Sequence, residues 1–169
     1  MREALQRLTS DGFVSFIKDK GAFVAQIGLE DLLQNYEVRE ALEGMAARLC
    51  AKRVTPAILN ELKNLLENST AYYHKGDFAK AMSYDMQFHR FMIAAAKNPK
   101  LERMMDVTMD LISCVAYNAD SEIISRSLED HQKIIKALEA PDADLAESLA
   151  REHVKHSKKY HFDKYYMTD

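Results

Sequence analysis

Hydrophobic residues recur at three- and four-residue steps from Leu29 to the end of the chain. This spacing places apolar side chains on one face of an α-helix. The breaks at Gly76, Asn98-Pro99 and Pro141 separate successive helical stretches. The pattern predicts six helices, at residues 31–52, 56–75, 77–97, 99–118, 121–140 and 143–166. Short connections between long amphipathic helices favour antiparallel neighbours, so we expect an all-α antiparallel helix bundle over residues 28–169.

The first 27 residues follow a different pattern. Residues 2–9 place Ala4, Leu5 and Leu8 on one helical face, and two short β-prone runs at 13–17 and 22–25 flank a polar turn. A helix followed by a β-hairpin is the second half of a winged helix. The unit has too few apolar residues to fold alone and opens inside a helix. We therefore expect preceding residues to complete a domain.

Composition narrows the functional classes only slightly. A chain of 169 residues with 47% hydrophobic residues can bury one principal core. Its net charge of −3 neither supports nor excludes DNA binding, since a local basic patch would suffice. The sequence has neither an apolar run of about 20 residues nor a signal peptide, which predicts a cytoplasmic protein that does not enter the membrane. Cys50 and Cys114 lie in apolar helical patterns, and buried reduced thiols are expected.

Candidate metal chemistry begins with Asp85 and His89, four residues apart on one predicted helix. Side chains at this spacing project from the same face and can hold one ion. His131 and His153 lie in the apolar patterns of two further helices and can also point inward. Imidazole and carboxylate ligands from facing helices suit a divalent ion. The pattern also allows a surface pair, a helix-capping His131 and a solvated lysine-rich face carrying His153, His156 and His161.

Several segments resemble the GntR superfamily of transcription regulators, in its FadR-like branch with an FCD effector domain. REALQRLTSDGFV with KGAFVA resembles the end of the recognition helix and the wing. YEVREALEGMAARLCA resembles the first effector-domain helix. DMQFHRFMIAAAKNPKL, DHQKIIKALEAPDADLA and REHVKHS resemble the three metal-bearing segments. The resemblance covers nearly the whole chain and implies an FCD-like bundle after a truncated winged helix at residues 1–27.

The resemblance also implies a ligand set. Asp85, His89, His131 and His153 occupy the positions of the metal ligands, with zinc preferred and nickel, manganese or iron as alternatives. The resemblance selects His153 over His156, one turn further along. His74 and His161 match no motif, and we interpret them as surface residues.

Two further residues are candidates for binding a small organic acid. The guanidinium of Arg39 suits a carboxylate beside the metal. Its alternative role is a surface ion pair with Glu43 one turn away. Asn118, which follows Tyr117 at the end of a predicted helix, is a polar candidate for the same ligand, although a helix-ending Asn needs no ligand.

For DNA contact, the resemblance points to Arg2 in the recognition helix and Lys20 at the wing tip. Family members usually have Gly before the wing Lys, whereas this chain has Asp19, whose charge repels phosphate. Without the first helices of a winged helix, the 169 residues are not expected to bind an operator specifically.

These observations lead to a hypothesis of function. We expect a homodimeric, ligand-responsive transcription regulator that binds a divalent metal, an organic acid and operator DNA. One alternative is a metal-dependent enzyme using the same three histidines and one aspartate, although no catalytic base is evident. Glu129 and Asp130 are more simply helix-start charges or partners of a metal ligand. A metal-free helical interaction module is the other alternative.

Overall fold

The computed structural model describes residues 2–10, 14–17, 20–24, 28–116 and 119–166. These ranges contain an N-terminal helix, a two-stranded antiparallel hairpin and six further helices. The elements are α1 Arg2–Ser10, β1 Val14–Ile17, β2 Gly21–Val24, α2 Leu29–Ala51, α3 Pro56–His74, α4 Phe78–Ala95, α5 Pro99–Ala116, α6 Ser121–Glu139 and α7 Ala143–Tyr166. The predicted helical fold class is confirmed, with each helix of the bundle starting and ending within a few residues of its expected position.

Polar side chains explain where several helices begin. The Thr55 hydroxyl accepts a hydrogen bond from the Ile58 amide at 3.3 Å, directly before the proline that opens α3. Asp77 accepts from the Lys80 amide at 3.0 Å at the start of α4. Such caps satisfy amide groups that have no partner inside the helix. Gly76 ends the preceding segment with a φ of +74°, a conformation that residues with a Cβ rarely adopt.

The bundle is organised around α2, which packs against α4, α5, α6 and α7. Helices α3 and α4 pack together across a three-residue connection, as do α6 and α7, so each pair is antiparallel. Gly44 allows α2 and α7 to approach closely, since a Cβ there would lie 2.7 Å from Arg151 Cγ. No helix in the described ranges is both long and apolar enough to cross a membrane.

The largest apolar cluster joins α2, α3, α4, α6 and α7. Phe88 and Met92 of α4 lie in it beside Ile134 and Leu138 of α6. Cys50 is also buried here, and burial raises the pKa of its thiol to about 11, so the thiol is protonated at neutral pH. The side chain of Cys114 lies outside the described residues. This packing fixes the facing surfaces of α2, α4, α6 and α7.

Candidate metal site and adjoining pocket

Three buried histidines meet where those four helices face one another. His89 comes from α4, His131 from α6 and His153 from α7. One ring nitrogen of each lies within 4.8 Å of the other two. The ring of Phe88 stacks on the imidazole of His131 with the centroids 4.0 Å apart, and this contact restricts the orientation of the imidazole. The fold therefore brings together three residues that are 42 and 22 positions apart in sequence.

The separation and charge state of these imidazoles suit metal coordination. His89 Nε2 and His131 Nε2 lie 3.2 Å apart. Two nitrogens bound to one ion at about 2.1 Å are separated by about 3.0 to 3.4 Å, depending on coordination geometry. Burial and the neighbouring His153 and His89 lower the pKa of His131 well below its ordinary value. Burial also lowers the pKa of His153, although Asp130 opposes this shift. Neutral imidazoles offer a lone pair to a metal.

Asp85 borders the three histidines from the same helix as His89. Its Oδ2 lies 3.7 Å from His89 Nε2, and its Oδ1 lies 3.5 Å from His131 Nδ1. The Ser127 hydroxyl donates a hydrogen bond to Oδ1. This bond holds one carboxylate oxygen and leaves the other facing His89. Asp85 thus lies beside the cluster, although among the described residues only the three histidines have ligand atoms that all lie within 4.8 Å of one another.

Two buried nitrogens in this group lack a hydrogen-bond partner among the described residues. They are His89 Nδ1 and His153 Nδ1. Each of these nitrogens lies near a carboxylate, His89 Nδ1 at 2.8 Å from Glu43 Oε2 and His153 Nδ1 at 3.8 Å from Asp130 Oδ2, an arrangement that orients metal-ligating histidines. Three imidazoles and one carboxylate match the preferred ligands of zinc and similar divalent ions. The residues present therefore fit a divalent metal.

Arg39 and Glu43 form a buried ion pair on α2, next to the histidines. Arg39 Nε donates to Glu43 Oε1 at 2.5 Å, and the two side chains are 3% and 0% exposed. The ion pair that the sequence allowed as an alternative is therefore present, but it forms in the interior and not at the surface. Arg39 Nη2 also lies 3.3 Å from His89 Nε2. The guanidinium is thus placed directly beside the candidate metal ligands.

Glu43 has a role that the sequence did not reveal. Its second oxygen, Oε2, lies 2.8 Å from His89 Nδ1. Burial alone would raise the pKa of the Glu43 carboxyl, but Arg39 and His89 hold it well below its ordinary value. One ionised carboxylate therefore contacts both Arg39 and a candidate metal ligand. The spacing to Arg39 was visible in the sequence, but the contact with His89 was not.

A small cavity adjoins the histidines and is lined by residues of α2, α4, α5, α6 and α7. Its volume is about 20 Å³, and its lining includes Tyr36, Arg39, Asp85, His153, Ser157 and His161. His161 is not the surface residue expected from the sequence. It is partly buried, and its ring stacks on Tyr36 with the centroids 5.8 Å apart. The stripe His153, Ser157 and His161 follows four-residue steps along α7, a signal that the sequence already contained.

The remaining predicted positions are placed as follows. His156 lies outside the cluster, with its Nδ1 2.7 Å from Asp130 Oδ2. Asp130 is buried, and its Oδ2 also lies 3.8 Å from His153 Nδ1. Asn118, with its neighbour Tyr117, lies outside the described residues. His74 is exposed at the end of α3.

The structure places the two candidate DNA-binding residues only in part. Arg2 opens α1, and its side chain lies outside the described residues. Lys20 is exposed in the turn between β1 and β2, where its amide donates to the Ile17 carbonyl at 3.0 Å. Asp19 is not among the described residues. The histidine cluster and its cavity are thus the most completely defined candidate site.

Comparisons with known proteins agree with this architecture. Residues 34–156 match the FCD domain model. The chain is 30% identical over 155 residues to the probable D-xylose utilization operon transcriptional repressor of Paenarthrobacter nicotinovorans, covering 91% of this chain and 68% of that protein. The chain belongs to the GntR family of transcription regulators, with an FCD domain. The resemblance inferred from sequence is therefore confirmed.

Other GntR-family comparisons extend this result. The chain is 31% identical over 103 residues to the Nta operon transcriptional regulator of Aminobacter aminovorans, covering 60% of this chain and 48% of that protein. The fold matches that of E. coli McbR/YncC with a TM-score of 0.85 at 24% identity, over 97% of this chain and 84% of the other. The relatives are named as transcription regulators, so the chain is assigned as a regulator and not as an enzyme.

Proposed function

We propose that the helical domain, residues 28–169, senses a small organic acid through a bound divalent metal and thereby modulates DNA binding. The metal is held by Asp85, His89, His131 and His153, with zinc as the first choice and nickel, manganese or iron as alternatives. A divalent ion here supplies a Lewis-acidic binding point for the acid. The observation that carries the proposal is the convergence of three buried imidazole nitrogens within 4.8 Å, beside a buried carboxylate.

The positive charge of Arg39 favours an anionic ligand. Its guanidinium lines the cavity and lies beside His89, so a carboxylate there would meet both Arg39 and the ion. Burial strengthens this attraction because little water screens it. A neutral sugar would lack the Coulomb attraction to both positive charges. An organic acid is therefore the ligand class that the charges favour.

Metal content and acid binding test this proposal separately. Purified chain should retain a stoichiometric divalent ion by elemental analysis. His89→Ala should lower metal affinity sharply, whereas His156→Ala should change it little because His156 contacts Asp130 outside the cluster. A protein that holds no metal, or equal losses in the two variants, contradicts the ligand assignment.

Acid binding is then measured by calorimetry with acetate and glycolate as probes. Binding should require the metal and should fall in Arg39→Ala. Arg48→Ala is the matched control, since Arg48 lies on the same helix but pairs with Glu147 at the surface. Equal binding of both probes to metal-stripped protein refutes the sensing mechanism.

The first 27 residues are proposed to be the closing part of a winged-helix DNA-binding domain. A helix followed by a two-stranded hairpin supports this assignment. Phe16, Ile17 and Phe23 are exposed on the hairpin, as expected if other residues cover them in a complete domain. Lys20 and Arg2 are the proposed DNA contacts. Fluorescence anisotropy with a relative's operator, using protein with a complete winged helix, tests these contacts by comparing the wild type with Lys20→Ala and Arg2→Ala.

Regulators that read palindromic sites need paired DNA-binding domains, so we propose a homodimer. The exposed apolar side chains of two adjacent helices offer a face for it. These residues are Val38 and Met45 of α2 and Met104 and Val107 of α5. Sedimentation velocity at increasing protein concentration tests the assembly, and a monomer throughout contradicts it.

A further inference from the structure

A cluster of positive charges lies where two helix-to-helix turns meet at one end of the bundle. The α2–α3 turn and the α4–α5 turn with the start of α5, residues 52–55 and 96–103, hold five cations and one acid. We call these cations the basic patch: Lys52, Arg53, Lys97, Lys100 and Arg103. All five residues are exposed. Arg53 joins the two turns, because its Nη1 donates a hydrogen bond to the Ala96 carbonyl.

No acid neutralises the basic patch. None of its five side chains forms an ion pair with a residue that the structure describes. Glu102, the one acid in these segments, lies about 200° round α5 from Lys100 and so points to another face. Asp106, one turn after Arg103, instead lies 3.9 Å from Arg90 Nη1. The five positive charges are therefore available to a partner in solution.

Lys97 carries its charge in a backbone conformation that favours glycine. It follows the end of α4 with a φ of +48°, in the left-handed region. Residues with a Cβ rarely adopt this conformation, and Gly or Asn is usual directly after a helix. The side chain of Lys97 has no hydrogen bond or ion pair within the described ranges. A strained residue without an internal partner indicates a contact outside the chain.

The basic patch lies at the far end of the bundle from the hairpin. Tyr36 of α2 and Met86 of α4 pack in one apolar cluster. Further along the same helices, Ala46 and Ile93 share the next cluster, so α2 and α4 run parallel and end at the same level. α2 starts just after the hairpin and has 23 residues, which makes it about 35 Å long. A duplex bound by the N-terminal unit is therefore held at the opposite end from the basic patch.

The surface of the patch favours DNA over a protein partner. Interfaces between proteins have a core of apolar side chains. Within the two segments, Ala96 and Leu101 are buried, and Val54 packs against the apolar core. The solvent therefore meets mainly the cations. Interfaces with DNA are polar and strongly positive, and unpaired Lys and Arg side chains match phosphate oxygens.

The proposed dimer would double this charge. Met104 and Val107 follow the patch along α5 and belong to the face proposed for dimerisation. Two half-sites require both N-terminal units at the same end of a dimer, so the two patches would lie together at the other end. An array of this size suits an extended polyanion rather than a small anion. The doubling rests on the proposed dimer, whereas the patch itself does not.

We propose that the basic patch binds the phosphate backbone of a second DNA segment, without reading its sequence, at the end of the bundle opposite the N-terminal unit. A regulator with DNA contacts at both ends can bridge two segments of DNA. The proposal is independent of the metal and of the organic acid.

Fluorescence anisotropy of the full chain with a labelled duplex of arbitrary sequence tests the patch at about 50 to 200 mM salt. The patch variant combines Lys97→Gly, Lys100→Gln and Arg103→Gln. The control variant removes the same charge from α3, α6 and α7 by combining Lys63→Gln, Lys136→Gln and Lys159→Gln. Arg2 and Lys20 are unchanged in both variants, so their contacts do not enter the comparison.

We expect the patch variant to bind this duplex about tenfold or more weakly than the wild type at the lowest salt concentration. The slope of log affinity against log salt should decrease in magnitude by about 2 to 3, since each lost phosphate contact removes about 0.9. The control variant should bind within about twofold of the wild type. Equal losses in the two variants would show that only net charge matters and would overturn the proposal. Absence of wild-type binding at low salt would overturn it as well.

Lys97→Gly alone separates the charge from the fold. Glycine accepts the left-handed conformation, so the Tm should stay unchanged or rise while DNA affinity falls. A lower Tm would show that the fold itself requires Lys97, and the assignment of this residue to DNA would be wrong.

Two further measurements address the class of partner and the bridging. Poly-L-glutamate should displace the labelled duplex less effectively than unlabelled DNA at equal charge concentration, and equal displacement would identify a surface for acidic proteins and overturn the assignment to DNA. Protein with a complete winged helix, bound to a donor-labelled operator of a relative, should recruit an acceptor-labelled duplex of arbitrary sequence and give energy transfer. The patch variant should keep operator binding and lose the transfer. Operator binding by the wild type without recruitment of the second duplex would refute the bridging.

Discussion

Glu43→Gln is the substitution that tests the interior of the site most directly. The amide keeps the shape of the side chain but removes the charge that faces Arg39 Nε at 2.5 Å and His89 Nδ1 at 2.8 Å. Arg39 is 2% exposed, so water cannot replace the lost counter-ion. Removing one partner of a buried ion pair costs about 3 to 5 kcal/mol, and the retained amide hydrogen bond places this variant near 3 kcal/mol. For a domain of this size, that loss lowers Tm by about 6 to 12 °C.

The assay is thermal and urea unfolding in the presence of a chelator, so that metal binding does not enter the comparison. Glu37→Gln is the control, since Glu37 lies on the same helix and pairs with Lys158 at 2.8 Å on the surface. Exposed pairs contribute about 1 kcal/mol or less. If the two variants differ by less than about 1 kcal/mol in free energy of unfolding, Arg39 is not held in a dry interior and the description of the site fails.

Glu43→Gln should also weaken the metal affinity that we propose for the site. Groups that orient a metal-ligating histidine typically contribute ten- to a hundredfold in affinity, so we expect a loss in about that range. Competition with a chromophoric chelator measures it. Unchanged metal affinity alongside a large loss of stability would limit Glu43 to pairing with Arg39.

Two further predictions concern regions away from the candidate metal site. Asp120 caps α6, accepting from the Glu122 amide at 3.0 Å, so Asp120→Ala should cost about 1 kcal/mol in urea unfolding at pH 7. Burial raises the pKa of Asp120, but bonds from Lys164, Tyr160 and the backbone outweigh it and give about 2. This stabilisation is therefore fully present above the ordinary pKa of 3.8 and is lost as pH falls towards 2. If the difference in free energy of unfolding between the wild type and Asp120→Ala grew on acidification, this interpretation would be wrong. Met104→Asp combined with Val107→Asp should shift the protein to monomer in sedimentation, while Leu145→Asp, equally exposed on α7, should not; dissociation by all three changes alike would remove the case for the α2–α5 face.

The helical organisation could be predicted because its signals are local. Gly76 and Pro56 mark breaks whose backbone geometry is set by the residues themselves, and the apolar periodicity sets the length of each helix. Helix α2 starts at Leu29 and not at the expected Asp31, because the ends of helices depend on weak capping preferences.

The site could be predicted only where a motif was present. His89 and Asp85 share a helix face by spacing alone, but nothing local distinguishes His153 from His156, which lie one turn apart. The resemblance to the family made that choice. Packing with α2 places His153 in the interior, while His156 lies at the edge on Asp130.

Burial of polar residues was the main feature that spacing could not reveal. Arg39 and Glu43 have the same spacing of four residues in the sequence whether their side chains face water or the core. His161 has a polar, lysine-rich neighbourhood in sequence, yet Tyr36 from α2 covers its ring. Neither location could be predicted, because exposure depends on which helix packs against a face, and that contact is distant in sequence.

The sharing of Glu43 between Arg39 and His89 constrains how such a pocket can diversify. Replacing Arg39 leaves a buried carboxylate uncompensated beside a candidate metal ligand, so such a change requires a second substitution at Glu43. Directed evolution of this region should therefore change Arg39 and Glu43 together.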